Sequence, residues 1–229
     1  MNMNNDKIFV RGAFQALIDR GVAKPEDFSP SMVSDVDIRA FEKKYDVILP
    51  SLMKAYLQAY CYNFSWIRSP VPCDIEPFTI QSNEYEMHLL WLELLSVPME
   101  NPLEDLAKRL EGFREIATDE YLSGMTQESI AHLLPIGDWY AGAGALCIDL
   151  RVNEEDVDIR DRKTWSLHFF DHEEFDWQKC YTDDKGMASG QKVVPDFRTL
   201  LEWYFYGKFD KAYEEDEVEK PDYASYIKW

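Results

Sequence analysis

The spacing of apolar residues changes from a helical period to a strand period along the chain, and this change most constrains the fold. Val10 and Phe14 belong to an apolar stripe at helical spacing that predicts a helix over residues 6–20. Two further helices are expected, the first capped by Ser34 and the second begun by Pro50. The N-terminal part of the chain is therefore expected to be helical.

Alternation of apolar and polar residues replaces the helical pattern later in the chain. Strands are predicted near residues 132–138, 146–150, 165–169 and 177–182. Pro195 then opens a final helix. This order predicts an α+β fold: N-terminal helices, a central antiparallel sheet of about four to six strands, a helical insert and a closing C-terminal helix.

The segment between the two parts is the expected helical insert, at about residues 83–125. Its apolar residues follow a helical pattern over residues 84–95 and again over residues 103–117. The alternative is that both helices form an integral layer of the core. In either case residues 1–208 are expected to form a single domain, and residues 209–229 an acidic C-terminal tail.

The chain carries a large excess of acidic residues. Lys plus Arg is 24 and Asp plus Glu is 43, so the net charge is −19. A field of this sign repels phosphate backbones and disfavours direct binding of nucleic acid. The excess serves either solubility or electrostatic steering toward a basic protein partner.

Sequence features that would indicate secretion, membrane insertion or a metal site are missing. The N-terminus has no basic cluster before a long apolar core, and no apolar run is long enough to cross a bilayer. We therefore expect a cytoplasmic protein without a membrane partner. The cysteines at positions 61, 73, 147 and 180 form no CxxC pair and are expected to be free thiols.

Two groups of residues are candidates for catalysis. His168 and His172, with the acids near them, could ligate a divalent metal, but their spacing matches no metal motif and also fits a polar strand end. Cys147 could act as a nucleophile with His132 or His168 as its base, although a cysteine in a strand is typical of a core. We therefore expect no enzyme activity, no metal and no cofactor.

A protein interface is the more favoured kind of site. Trp139 and Tyr140 lie between a predicted strand and a glycine turn at residues 141–144, where they either cover the end of the core or anchor a partner. Acidic residues from the same part of the chain would surround that contact: Asp138, Asp149, Asp171, Glu173, Glu174 and Asp176. Together these residues form the expected partner-binding site.

An ordered series of short motifs resembles the SUKH superfamily. The series runs through Phe41-Glu42, Leu49-Pro50, Leu134-Pro135-Ile136-Gly137, Ile148-Asp149-Leu150 and Phe169-Phe170-Asp171-His172, and ends in a helix over residues 197–204. This superfamily includes bacterial immunity proteins that neutralise polymorphic toxins, and fungal regulators of cell-wall synthesis. The resemblance implies a SUKH-like domain over residues 1–208 and carries no shared catalytic residues.

The resemblance and the charge together lead to a functional expectation. The chain would be an intracellular immunity protein that binds and neutralises a cognate, basic bacterial toxin domain such as a nuclease. The first alternative is a regulatory protein-interaction module of signalling or cell-envelope synthesis, and the second is a metal-dependent hydrolase. The sequence leaves the oligomeric state open. Several residues of the motif series are expected in the core: Phe41, Leu49, Ile148, Phe169 and Leu201.

Overall fold

The structure is a computed structural model in which the described residues form helices packed on a central sheet. The described residues are 3–62, 66–68, 91–139, 144–151, 165–172, 174, 176–194 and 196–207. The helices are α1 (Met3–Asp19), a short 3-10 helix (Pro25–Asp27), α2 (Asp35–Tyr45), α3 (Ser51–Leu57), α4 (Glu104–Thr118), α5 (Gln127–Ile130), α6 (Trp177–Cys180) and α7 (Phe197–Tyr204). The strands are β1 (Ser29–Pro30), β2 (Tyr60–Cys61), β3 (Trp66–Arg68), β4 (Trp91–Leu94), β5 (Leu133–Trp139), β6 (Gly144–Asp149), β7 (Leu167–Asp171) and β8 (Gln191–Val194).

The start of α2 shows how local sequence chemistry sets a helix boundary. The backbone N–H of Asp37 donates to Ser34 Oγ at 3.3 Å, and the backbone N–H of Ser34 donates to Asp37 Oδ2 at 2.8 Å. This reciprocal capping box satisfies two N–H groups that would otherwise lack partners at the helix start. The prediction that Ser34 caps the second helix is confirmed.

The central sheet contains six of the described strands in the order β3-β4-β5-β6-β7-β8. Because this spatial order follows the order of the chain, each strand lies beside the next one along the chain. Every neighbouring pair is antiparallel. Strands β1 and β2 form a separate two-stranded sheet. The predicted α+β class with a central antiparallel sheet is confirmed.

The two faces of the central sheet support different hydrophobic clusters. On the first face, Leu146 and Ile148 of β6 belong to the main core, which also contains side chains of α1, α2, α3 and α7. On the second face, Cys147 of β6 and Phe170 of β7 pack in a smaller cluster with side chains of α4, α5 and α6. The side-chain alternation of the strands therefore separates the two clusters. The residues expected in the core from the motif series are buried: Phe41, Leu49, Ile148, Phe169 and Leu201.

Two local predictions of secondary structure are wrong. The helix predicted over residues 84–95 is a strand where the structure describes it, because Leu92 and Leu94 alternate into the core and β4 pairs with β5. The strand predicted over residues 177–182 begins as α6, where the Asp176 carboxylate caps the helix by accepting the backbone N–H of Lys179 at 3.2 Å. Both runs are short, and a short apolar run does not distinguish a strand from a helix.

The middle segment contributes directly to the sheet and to its core. Helix α4 packs against β5, and its Leu106 and Leu110 side chains join the main core. The described part of residues 83–125 therefore contributes a strand to the sheet and a helix that packs against it. The acidic tail at residues 209–229 lies outside the described residues. Among the helices that the structure describes, none combines the length and apolarity needed to cross a membrane.

Candidate functional site

An open cleft of about 520 Å³ lies between α4 and the second face of the sheet. Residues from α4, the α4–α5 loop, β5, β6, β7 and α6 contribute to its walls. Its volume is in the range typical of ligand-binding clefts. The lining residues are Arg109, Gly112, Phe113, Ile116, Leu122, Ser123, Pro135, Gly137, Asp138, Gly144, Ala145, Phe170, His172, Glu174 and Trp177.

Three aromatic rings form the floor of the cleft. The Phe113 and Phe170 ring centroids are 5.4 Å apart in an edge-to-face arrangement, and Trp177 lies 5.3 Å from Phe170. The indole Nε1–H of Trp177 donates to the carbonyl oxygen of Asp171 at 2.9 Å, which fixes the orientation of the indole ring. The floor is therefore a rigid apolar surface whose one polar group is already bonded.

Arg109 holds the polar inner end of the cleft together. Its guanidinium donates to Glu93 Oε1 at 2.5 Å, to Asp138 Oδ2 at 2.6 Å and to Asp105 Oδ2 at 3.4 Å. Burial alone would lower the pKa of Arg109, but the surrounding carboxylates outweigh burial and raise the pKa. One guanidinium is thus paired with three carboxylates, so these four side chains together retain a net negative charge. We name Arg109, Glu93, Asp105 and Asp138 the Arg109 group.

Asp138 is the carboxylate of this group that lines the cleft. Burial raises the pKa of Asp138 above its ordinary value, and the nearby carboxylates of Glu93 and Asp105 raise it further. Arg109 lowers the pKa of Asp138, but by less than these effects raise it. A carboxylate has two oxygens and several acceptor positions, so one bond from Arg109 does not exhaust it. Asp138 therefore favours the approach of a further cationic or hydrogen-donating group.

The mouth of the cleft exposes an unusual amount of apolar surface. Ile116 is 45% exposed, Leu122 is 45% exposed, and the adjacent Tyr121 is 86% exposed. The Asp119 carboxylate accepts the backbone N–H groups of Tyr121 at 2.8 Å and Leu122 at 3.1 Å, which holds this turn in place. We name Ile116, Tyr121 and Leu122 the mouth patch.

Acidic side chains border the mouth patch. Glu115 and Glu120 are exposed neighbours of Ile116 and Tyr121 along the chain, and Glu174 lines the cleft itself. A surface that combines exposed apolar side chains with a polar rim is typical of a protein-binding site.

Gly112 widens the cleft from the side of α4. It lies in the interior of this helix and lines the cleft, and a Cβ atom added there would meet no atom within 4 Å. Glycine in a helix interior is disfavoured by about 1 kcal/mol relative to alanine. Gly112 therefore leaves open space beside the helix, although glycine at this position lowers the stability of the helix.

The structure separates the acidic residues that the sequence grouped in one site. Asp138 and Glu174 both line the cleft. Asp149 and Asp171 are 7% and 6% exposed. Asp149 pairs with Leu133, and Asp171 pairs with Gly144, which lies an odd number of positions from Asp149 in the same strand. Paired residues share a face and successive residues alternate, so the two acids lie on opposite faces of the sheet.

The other expected partner-binding residues are distributed as follows. Asp176 is exposed and serves as the cap of α6. The backbone of Trp139 ends β5 opposite Gly144, and its side chain lies outside the described residues. Tyr140 and Glu173 also lie outside the described residues. The expected site is thus described in part, and its described residues do not form one continuous acidic face.

Asp149 is instead the centre of a buried polar network. Arg151 donates to its carboxylate through Nε at 3.1 Å and through Nη2 at 2.7 Å, and also to Asp183 Oδ2 at 2.5 Å. His132 and His168 approach the same carboxylate at 3.9 Å and 3.8 Å. Burial lowers the pKa of both histidines despite the attraction of Asp149. The network therefore neutralises Asp149 inside the protein.

Two of the catalytic candidates, His168 and Cys147, are engaged in the interior, whereas His172 is exposed and lines the cleft. The ring nitrogens of His168 lie 2.9 Å from Ser166 Oγ and 3.0 Å from the carbonyl oxygen of Gly190. Cys147 is fully buried, and burial raises the pKa of its thiol well above the ordinary value. A thiol in this state is a poor nucleophile. Among the described residues, no three His, Cys, Asp or Glu side chains are placed to hold a metal ion together.

The sequence reasoning missed most of the cleft. Phe113 belongs to a helical apolar stripe that indicates ordinary core packing, Arg109 and Ile116 lie on the same helix outside that stripe, and Trp177 falls in a predicted strand. One signal could have directed attention to this region, namely a glycine at position 112 within an otherwise strong helical pattern.

The fold and the cleft together define an α+β protein with an open, aromatic-lined and acid-bordered cleft on one face of its sheet. No protein-family model matches the chain, and no curated protein matches its sequence.

Proposed function

We propose that the chain is a cytoplasmic immunity protein that binds a cognate, basic bacterial toxin domain and neutralises it. The observation that supports this most is the mouth patch, whose apolar side chains stand beside acidic residues in a chain with a net charge of −19. The exposed apolar side chains supply area to bury, and the charge supplies selectivity for a basic partner.

Binding would proceed in two physical stages. The negative field of the chain first raises the rate of encounter with a basic protein, by roughly 10–1000-fold at low ionic strength. Tyr121 and Leu122 then become buried against the partner; tyrosine is among the side chains that dominate the energy of many interfaces, and Leu122 adds apolar area. The toxin is neutralised because its substrate-binding surface is covered.

The interior chemistry favours binding over catalysis. His168 has protein partners at both ring nitrogens, and Cys147 is buried with a raised thiol pKa. The second alternative, a metal-dependent hydrolase built on His168 and His172, would require His168 to give up one of these partners. Asp138 and Glu174 line the cleft, which supports the proposal that acidic side chains there contact a basic partner.

Coexpression with a toxin domain tests this proposal. The C-terminal domain of a toxin encoded beside the gene for this chain would be expressed in a bacterial host, with and without the chain. We expect growth arrest without the chain, rescue with it, and a stable one-to-one complex on size-exclusion chromatography. Growth arrest that the chain does not relieve, with no complex formed, would refute the proposal.

A variant of the mouth patch serves as the internal control. Tyr121→Asp adds a charge at a side chain that is 86% exposed and so leaves the core intact. It should weaken rescue, whereas Ile8→Asp, on α1 at a position that is 64% exposed, should not. Equal loss of rescue by both variants would show that the mouth patch has no particular part in binding.

A further inference from the structure

We infer that the cleft behind the mouth patch receives one arginine or lysine side chain of the partner protein. The inference rests on the proposed function only in that the side chain belongs to the bound partner. The apolar stem would lie along the aromatic floor, and the cationic head would reach Asp138 at the inner end. The ligand class is thus a cation on an apolar stem.

The shape and lining of the cleft support an extended side chain with an apolar stem. The walls are mainly apolar, and Phe113, Phe170 and Trp177 lie beneath them as a packed aromatic cluster that is at most 5% exposed. Arginine and lysine bury their methylene groups against apolar surface while the charged head remains in polar surroundings.

The distribution of charge supports a cationic head. The Arg109 group has three carboxylates for one guanidinium, and Asp138 is the member that lines the cleft. Glu174 supplies a second lining carboxylate from the β7–α6 connection. An incoming guanidinium or ammonium would correct the local excess of negative charge, and its hydrogen bonds to a carboxylate would be charge-assisted.

The chain offers a closely matched pair of variants for a test. Asp138→Asn and Glu93→Gln each remove one carboxylate that accepts from Arg109, at 2.6 Å and 2.5 Å respectively. Only Asp138 is among the residues that line the cleft. A purely structural role of the Arg109 group would make the two variants behave alike, and a binding role would separate them.

The probe is N-acetyl-arginine amide, with N-acetyl-norleucine amide as the uncharged control. Each is titrated into the ¹⁵N-labelled full chain while the indole N–H resonance of Trp177 and the backbone resonances of Gly112 and Ala145 are followed by NMR. We expect saturable shifts at these three positions with the arginine probe. The shifts should weaken in high salt and be absent with the norleucine probe.

Asp138→Asn should weaken binding of the arginine probe by roughly tenfold, since it removes a charge-assisted hydrogen bond. Glu93→Gln lowers the charge of the group but removes no lining carboxylate, so it should weaken binding clearly less than Asp138→Asn does. Equal affinities for the two variants, or equal binding of norleucine, would overturn the inference. So would concentration-dependent changes of the same resonances without probe, because a second copy of the chain would then occupy the cleft.

Failure of this inference can be told apart from failure of the proposed function, because the probe experiment contains no toxin. If the toxin domain binds and Asp138→Asn leaves its Kd unchanged, the cleft inference fails and the immunity function stands. If the arginine probe binds as expected but no toxin domain is neutralised, the cleft inference stands and the immunity function fails.

Discussion

Replacement of Arg109 by leucine gives a direct measure of how the inner end of the cleft is held together. The Arg109 side chain is 13% exposed, and its three carboxylate partners are each less than one third exposed. Removing one partner of a buried ion pair typically costs about 3–5 kcal/mol. Because Glu93, Asp105 and Asp138 retain some contact with solvent, we expect a loss of unfolding free energy near the lower limit, about 3 kcal/mol.

The pH dependence of this loss identifies its cause. Without the guanidinium, the three carboxylates repel one another, and burial together with this repulsion raises the folded-state pKa of Asp138 further above its unfolded value. A raised carboxyl pKa gives a penalty that is present at neutral pH and is relieved as the pH falls and the group takes up a proton. The stability difference between wild type and Arg109→Leu should therefore shrink between pH 7.5 and pH 5.

Urea unfolding followed by far-UV circular dichroism measures both quantities. Lys108→Leu is the matched control, since Lys108 is the neighbouring residue of α4 and its ion pair with Glu104 is on the surface. Surface pairs of this kind add little to stability. The reasoning fails if the two variants lose the same stability, or if the loss in Arg109→Leu is independent of pH.

Three further predictions concern the helix, the buried histidines and the cysteines. Gly112→Ala should raise the unfolding free energy by about 0.5–1 kcal/mol, measured by urea titration, because the site is a helix interior with open space beside it. The free energy of unfolding of the wild type should fall as the pH drops through about 6.5. Burial lowers the pKa of His132 and His168 in the folded protein, so the unfolded chain binds more protons in this range. Urea titrations from pH 7.5 to 5.5 that gave the same free energy of unfolding at every pH would contradict this prediction. Iodoacetamide at pH 8 should label the exposed Cys180 in the folded protein well before the buried Cys147, as site-resolved mass spectrometry would detect.

The parts of the fold that sequence reasoning predicted are those with a strong local signal. The capping box of Ser34 and Asp37 marks the start of α2, and β6 alternates clearly between its two faces. The strand β4 was missed because its four residues lie in a dense apolar run, and it is pairing with β3 and β5 that makes them a strand.

The site was less accessible to sequence reasoning, because its geometry depends on register and on long-range packing. Asp149 and Asp171 look alike as acids at strand ends, but the register sends them to opposite faces, and Asp149 is ion-paired with Arg151. The cleft arises where α4 packs on β5, a contact between residues distant in sequence. Asp138, expected to contact a partner, lines the cleft, and that expectation stays a prediction; its ion-pair partner Arg109 was not among the expected site residues.

The most direct test of the account is growth rescue by two variants at one position. Gly112→Ala adds only a methyl group beside the cleft, whereas Gly112→Leu extends a branched side chain into space where an added Cβ meets no atom within 4 Å. Both substitutions favour the helix relative to glycine, so both variants should fold. In cells that express the toxin domain, Gly112→Ala should rescue growth as the wild type does, and Gly112→Leu should not. Equal rescue by the two variants would contradict the central claim that the cleft binds the toxin.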